Sequence, residues 1–375
     1  MTSRPNLSKT IPFFNYKGAF TEREEEFVAI FRDLIRRGAF IQQSDLAAFE
    51  LHLREYLGVK HAIGVGNATD GLVMAWRAAG LAPGDEIIFP SHTMVASPAS
   101  VAHAGGTPVP VDCGDDHLID PNAIEAAITP KTRAIMPVQL NGRTADMDRI
   151  QGIADRHGLF ILEDSAQALG AKFKGKFAGT FGRAGVFSFY PAKILGCLGD
   201  GGAVVTNDDE IARRVLLLRD HGRNQDGEVV AWGFNSRLDN LQAALLDAQF
   251  REYGDIIAHR RTLAARYQEN LAGLRQLHLP PAPGSEPGRF DVFQNYEIEA
   301  ENRDALRESL SASGIGTLIQ WGGKAVHQFA GLGFKANLPR TDLLFRRCLM
   351  LPMNLMVSPE DVDYISESIR AFYGA

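Results

Sequence analysis

The feature that most limits how this chain can fold is the alternation of short apolar runs with helical ones between His61 and Asp164. HAIGVG, DEIIFP, TPVPVD, RAIMPVQ and LFILED read as strands, and TDGLVMAWRAAG, ASPASVAHAGG, PNAIEAAI and MDRIQGIADRHG read as the helices between them. The strands are apolar on both alternating faces, so each must be covered from both sides. That pattern predicts a largely parallel sheet between two helical layers, a three-layer α/β domain.

Upstream, EREEEFVAIFRDLIRRG sets Phe27, Ile30, Phe31 and Leu34 at helical spacing before Gly38 stops the helix. SDLAAFELHLREYLG predicts a second helix, with Ser44 as N-cap and Gly58 at the C-terminal end. Beyond Asn240 one long helix is expected through LQAALLDAQFREYGDIIAHRRTLAARYQENLAGL, bridging to a smaller domain. The Pro-rich LPPAPGSEPG follows, then a strand in DVFQNYEIEA, a helix in RDALRESLSASG, a strand in GTLIQW and a final helix in PEDVDYISESIRAFY. With 375 residues, 45% of them hydrophobic, the chain can fill two cores. A large domain, residues 1–247, and a smaller C-terminal α+β domain, residues 248–375, are expected.

Charge and cysteine usage remove several classes of function. The formal net charge of -6, with signs intermixed, offers no continuous basic face for a nucleic acid backbone. The N-terminal MTSRPNLSKTIPFF lacks the apolar core of a signal peptide, and no segment reaches the roughly 20 apolar residues that span a bilayer. A cytoplasmic protein with no membrane partner is expected. Cys113, Cys197 and Cys348 are odd in number and widely spaced, without a CxxC pair, which predicts free thiols and no metal site.

The chemistry concentrates in ILEDSAQALGAKFKGKFAGTFGRAGVFSFYPAKILGCLGDGGAVVTND. The apolar LFIL strand delivers Glu163 and Asp164 at its C-terminal end, where open α/β sheets place ligands. Downstream, SFYPAKIL holds Ser188 and Lys193 beside a Gly-rich turn. An isolated lysine is usually a solvated charge, but these apolar neighbours would desolvate the ammonium and lower its pKa toward that of a Schiff-base amine. An aldehyde cofactor such as pyridoxal phosphate (PLP) fits, and its ring nitrogen calls for an acid, for which Asp164 is the candidate. The alternative for Asp164 is a helix cap or surface ion pair. A phosphate needs slim donors, and the Gly-bounded VGNATDGL loop runs into a helix whose free N–H groups at Ala68 and Thr69 suit an anion. Lys172, Lys174 and Lys176, in AKFKGKF, read as a solvated hairpin. His92, His103 and His221 read as structural.

Taken with GDEIIFPSHTMVAS, AITPKTRAIMPVQLNGRTADMD, RDHGR and GFNSRLDNLQAA, these segments resemble the DegT/DnrJ/EryC1/StrS sugar aminotransferases over nearly the whole chain. The resemblance implies the aspartate aminotransferase-like fold of fold type I PLP enzymes. It implies Lys193 as the Schiff-base lysine, Asp164 as the pyridinium partner, Gln167 beside the ring and Ser188 on the phosphate. It also implies a homodimer with composite sites, Asn235 reaching the phosphate of the other subunit. Three places depart from the commonest family pattern. Met94 stands where an aromatic often lies near the ring, and Gln320 and Trp321 stand where a His-Tyr-Pro run is usual, followed by His327, which fits. Asn354 replaces a common histidine.

The reaction so implied moves an amino group from an amino acid, L-glutamate, to a ketosugar, nucleotide-linked, to give an aminosugar of the kind used in lipopolysaccharide or O-antigen. Gln320, Trp321 and His327 are the candidate substrate residues. A PLP-dependent sugar dehydratase of the same fold is one alternative, but such relatives carry histidine at the Lys193 position. A sugar-binding or regulatory protein of this fold without turnover is the other.

Overall fold

The computed structural model describes residues 9–375. Seven strands build the central sheet: β1 (His61–Val65), β2 (Glu86–Pro90), β3 (Thr107–Val111), β4 (Thr132–Ile135), β5 (Phe160–Asp164), β6 (Ala184–Ser188) and β7 (Gly202–Thr206). Their order across the sheet is β1-β7-β6-β5-β4-β2-β3. All neighbours are parallel except those of β7, which runs antiparallel to both β1 and β6. The expected mostly parallel α/β sheet is present. Pro108 and Pro110 fall in β3, which pairs only with β2, so their missing N–H donors are tolerated at an edge.

Both faces of the sheet are covered, and the strands divide their side chains between them with period two. In β6, Ala184 and Val186 pack with Leu72 and Trp76 of the helix Ala68–Ala78. Phe187 turns the other way, onto Phe49 and Leu53 of the helix Ser44–Leu57. In β7 the same split sets Val204 against Ala203 and Val205. Truncating a fully buried member such as Leu162 to alanine should cost about 2–5 kcal/mol.

A second, antiparallel sheet pairs Leu277–His278, Tyr296–Ala300 and Cys348–Leu351 in that order. Its core gathers Leu263, Tyr267, Ile298, Leu306, Leu349 and Ile365 under the helices Tyr253–Leu271, Arg303–Ala312 and Pro359–Tyr373. Lys172–Phe173 and Lys176–Phe177 form the expected hairpin, extended by Arg289–Phe290. Cys113, Cys197 and Cys348 are buried free thiols. Among the described residues no helix is long and apolar enough to cross a membrane.

Three local expectations are corrected. The long helix after Asn240 is two helices, Asn240–Phe250 and Tyr253–Leu271. The break lies where Tyr253 is drawn into the large core, its hydroxyl donating to the Leu169 carbonyl at 2.8 Å. GTLIQW is not a strand: Leu318 makes one bridge to Met350, and Gln320–Gly323 is a 3-10 turn. Left-handed backbone at Trp321 (φ 47) and Gly322 (φ 70) cannot continue a pleat. Ser44 is the first helical residue rather than the cap, which is Gln43. The free N–H of Leu46 is met instead by Asn240 Oδ1 at 2.9 Å, so no local cap is required. Gly38 and Gly58 end their helices in the left-handed conformation, as the sequence predicts.

Candidate active site

The register of the sheet assembles the site. Val65 ends β1 opposite Gly202, and Gly202 starts β7 opposite Ser188, the last residue of β6. These three lie in one row at one edge of the sheet, and Asp164 ends β5 beside Val186, two residues back from Ser188. The helix Ala68–Ala78 begins at the same edge. Its cap, Asn67, accepts from Asp70 N–H at 2.8 Å, which leaves the first-turn amides of Ala68 and Thr69 without an intrahelical partner. A Cβ on Gly202 would lie 2.8 Å from Ala68 N, so glycine there lets the strand approach the helix start. Amides, the Ser188 hydroxyl and helix polarity together form a cradle suited to a phosphate.

Lys193 sits in the irregular loop between β6 and β7. Its backbone N–H donates to the Tyr190 carbonyl at 2.8 Å. Burial lowers its amine to about 8, against a smaller opposing pull from Asp164. Among the described residues its ammonium has no ion-pair partner within 4 Å. An amine so placed is neutral in a useful fraction near physiological pH.

Asp164 is buried, and burial pushes its carboxyl up from the ordinary carboxylate value. Ser97 donates to its Oδ2 at 2.6 Å, Ala166 N–H donates to its Oδ1 at 3.1 Å, and the Lys193 charge also pulls it down. A cationic ring nitrogen nearby would offset the same burial. The adjacent Glu163 has a different task. Its carboxylate accepts from Gln139 Nε2 and from the amides of Gly179, Phe181 and Gly182, which folds the loop leading into β6.

Lys193, Asp164, Ser188, Ala68 and Thr69 therefore share one edge of the sheet. Gln167 follows β5, its Oε1 accepting from Asn141 N–H at 2.9 Å and Asn295 Nδ2 at 3.3 Å. Met94 precedes the helix Ala96–His103 and is half exposed. Asn235 is exposed and pairs with Asp220 at the base of an arm. The three candidate substrate residues are held in polar and aromatic seams. Gln320 is buried, donating to Asn141 Oδ1 at 3.0 Å and Glu297 Oε1 at 2.9 Å. Trp321 packs edge-on to His92 with ring centres 5.5 Å apart. His327 bonds Ser91 Oγ through Nδ1 at 2.7 Å and Asp342 through Nε2 at 3.0 Å. Ser97 escaped the sequence reading, although its place in SHTMVASPAS just after an apolar strand was a usable signal. Gln294 and Asn295 also escaped it, because their contacts span the fold.

The chain is similar to known proteins over nearly its whole length. A transaminase of Streptomyces venezuelae, dTDP-3-amino-3,4,6-trideoxy-alpha-D-glucose transaminase, is 42% identical over 99% of this chain and 98% of its own. The structure of S. venezuelae DesV in complex with a ketimine intermediate superposes with a TM-score of 0.93 at 39% identity, covering 98% of this chain and 100% of that one. NtdA from Bacillus subtilis, solved with bound cofactor PMP, gives a TM-score of 0.90 at 28% identity over 100% of this chain and 87% of its own. The sequence profile of one family matches residues 21–370, which takes in every residue of the sheet edge just described. The chain belongs to the DegT/DnrJ/EryC1/StrS aminotransferase family.

Proposed function

We propose that this chain is a PLP-dependent aminotransferase that moves an amino group from L-glutamate to a nucleotide-linked ketosugar. The observation that carries the reading is a half-buried lysine facing the buried carboxylate of Asp164 at the sheet edge where a helix N-terminus opens, with desolvation lowering the amine to about 8. That donor set fits PLP. Ser188 and the amides of Ala68 and Thr69 would hold its phosphate, Asp164 its ring nitrogen, Lys193 its aldehyde carbon, and Gln167 and Met94 would flank the ring. When bound, PLP supplies a carbon that condenses with amines and a ring that draws in electrons.

The residues of the chain do the rest. Asp164 holds the proton on the ring nitrogen by opposite charge. Lys193 Nζ, in its neutral form, takes the proton from the donor's Cα and in the second half of the exchange gives one to the sugar carbon that receives nitrogen. Gln320, Trp321 and His327 belong to the sugar side of the site, the first and last fixed by the bonds given above. The name of the S. venezuelae relative supports a nucleotide-linked sugar.

The reading extends to a homodimer. Val229, Val230 and Trp232 stand exposed on the returning side of the Asp220–Asn235 arm, Trp232 at 94%, an apolar flank suited to burial against a second copy. Asn235, at the base of that arm, would then serve the phosphate of the other subunit. The separate core around Tyr267 and Ile365 supports a large unit, 1–247, and a small one, 248–375, with Tyr253 and Ile257 of the second packing into the core of the first. A cytoplasmic place, and a role in lipopolysaccharide or O-antigen sugars, complete the proposal. Lys193 speaks against the dehydratase alternative.

The test is spectroscopic. Purified protein should carry a visible, lysine-linked cofactor band that glutamate discharges and a nucleotide ketosugar restores. A protein without that band, or with one that ignores glutamate, would favour a binding role without turnover.

A further inference from the structure

We propose that Gln294 is a positioning residue for Lys193, and that together with Asn295 it fixes the lysine loop relative to Gln167. The proposal rests on the cofactor reading above and deepens it.

Gln294 lies far along the chain from the lysine loop, 100 positions from Ile194. Its side-chain amide nonetheless makes two bonds to that loop. Oε1 accepts from Ile194 N–H at 2.9 Å, and Nε2 donates to the Ala192 carbonyl at 2.8 Å. Those groups flank Lys193 on either side. One planar amide thus holds the backbone of a single residue at both ends, as a neighbouring strand would. Lys193 and Gln294 also line one cleft, of about 780 Å³.

The clamp is itself anchored. Gln294 is buried at 8% exposure, so water competes poorly for these bonds. Arg260, also buried, donates from Nη2 to the Gln294 carbonyl at 2.7 Å and from Nε to the Phe293 carbonyl at 2.8 Å. Among the described residues no carboxylate pairs with Arg260, so these carbonyls are what satisfy it. Phe293 adopts a left-handed φ of 53, a conformation a bulky residue rarely takes, and this turn precedes Gln294. The next residue, Asn295, donates from Nδ2 to Asn141 Oδ1 at 2.8 Å and to Gln167 Oε1 at 3.3 Å. Two successive side chains therefore tie down the lysine loop and the side chain of Gln167.

The consequence is one of reach. Lys193 has a flexible four-carbon stem on a loop without regular structure, and fixing its Cα narrows the volume its Nζ explores. Losing the clamp should loosen the amine while leaving the phosphate cradle intact.

The experiment compares the holoenzyme with its Gln294→Ala and Gln294→Glu variants. Affinity for pyridoxamine phosphate, which needs no lysine link, should stay within about threefold of the unmodified protein. The glutamate half-reaction should slow at saturation by about tenfold or more in Gln294→Ala, and the pH midpoint of the lysine-linked band should move. Gln294→Glu, which keeps the acceptor for Ile194 but loses the donor for Ala192, should fall between. A folded Gln294→Ala protein with unaltered rate and midpoint overturns the proposal. So does a loss of pyridoxamine phosphate affinity in step with the rate and without a moved midpoint, since that is a merely structural effect. An unmodified protein that shows no lysine-linked band ends the cofactor reading instead.

Discussion

Ser97 donates its hydroxyl hydrogen to Asp164 Oδ2 at 2.6 Å, and Thr93 Oγ1 lies 2.7 Å from that same Ser97 oxygen. The acid at the end of β5 is thereby held by a short relay from the start of the helix that follows β2. Burial works against the charge on Asp164, and the Ser97 bond works for it.

Ser97→Ala should therefore raise the carboxyl further, because only the neutral acid tolerates the lost donor. The acidic limb of the kcat profile should move to higher pH by about one unit, the equivalent of one charge-assisted hydrogen bond. Measuring kcat from pH 5 to 9 checks this. A limb that stays where it was would show that Ser97 does not govern the charge on Asp164.

Asp164→Asn removes the charge that opposes the lowering of the Lys193 amine by burial, so in cofactor-free protein Lys193 should titrate lower than in the unmodified chain. Labelling with an amine-selective reagent across pH, followed by peptide mapping, reads that midpoint directly. Turnover should fall in kcat far more than stability falls, since the amide still accepts from Ser97 but cannot hold a ring proton by opposite charge. Near-normal transamination would mean that another group controls the ring nitrogen.

The sheet is legible because strands buried on both faces leave a continuous apolar signature, and its candidate site edge can be located because the candidate residues fall at the ends of such runs. Asp164 ends LFILED, Ser188 ends the run before FYPAK, and Ala68 opens the helix after HAIGVG. Each could be placed from neighbours a few positions away. Gln294, Asn295 and Arg260 could not, since each acts through contacts to backbone or amides distant in sequence. The turn at Gln320–Gly323 departs from the expected strand for a related reason. Its apolar letters suit a strand, but the buried amide of Gln320 is committed to Asn141 and Glu297, and the backbone follows.

His117 is the buried histidine to watch for stability. Its Nδ1 faces Glu297 at 3.1 Å and its Nε2 faces Glu299 at 3.1 Å, with Arg340 also on Glu299 and His92 on Glu297. Burial opposes the charged ring, yet the two carboxylates raise it from 6.5 to about 9. A histidine raised on folding contributes stability that is full below 6.5 and lost as pH climbs through about 9. The melting temperature should fall across that window, and His117→Gln should flatten the fall while lowering stability most at the acidic end. Parallel melting curves for the two proteins at every pH would count against this ion pair.

The proposed homodimer gives the last test, because the proposal places Asn235 and Lys193 in one site from different subunits. Asn235→Asp sets a carboxylate against a phosphate and should weaken cofactor binding by repulsion, whereas Lys193→Ala keeps the phosphate contacts and removes the amine. Each homodimer should be nearly inactive. In a mixed dimer one site combines the intact Lys193 of one chain with the intact Asn235 of the other, and the second site collects both defects. One working site should therefore return. Co-expression with two distinguishable tags, and purification through both, isolates the mixed species for assay beside the two homodimers. Activity should approach half that of the unmodified dimer. If verified mixed dimers of folded chains recover nothing, Asn235 does not act across the interface, and the exposed arm carrying Val229, Val230 and Trp232 needs another occupant.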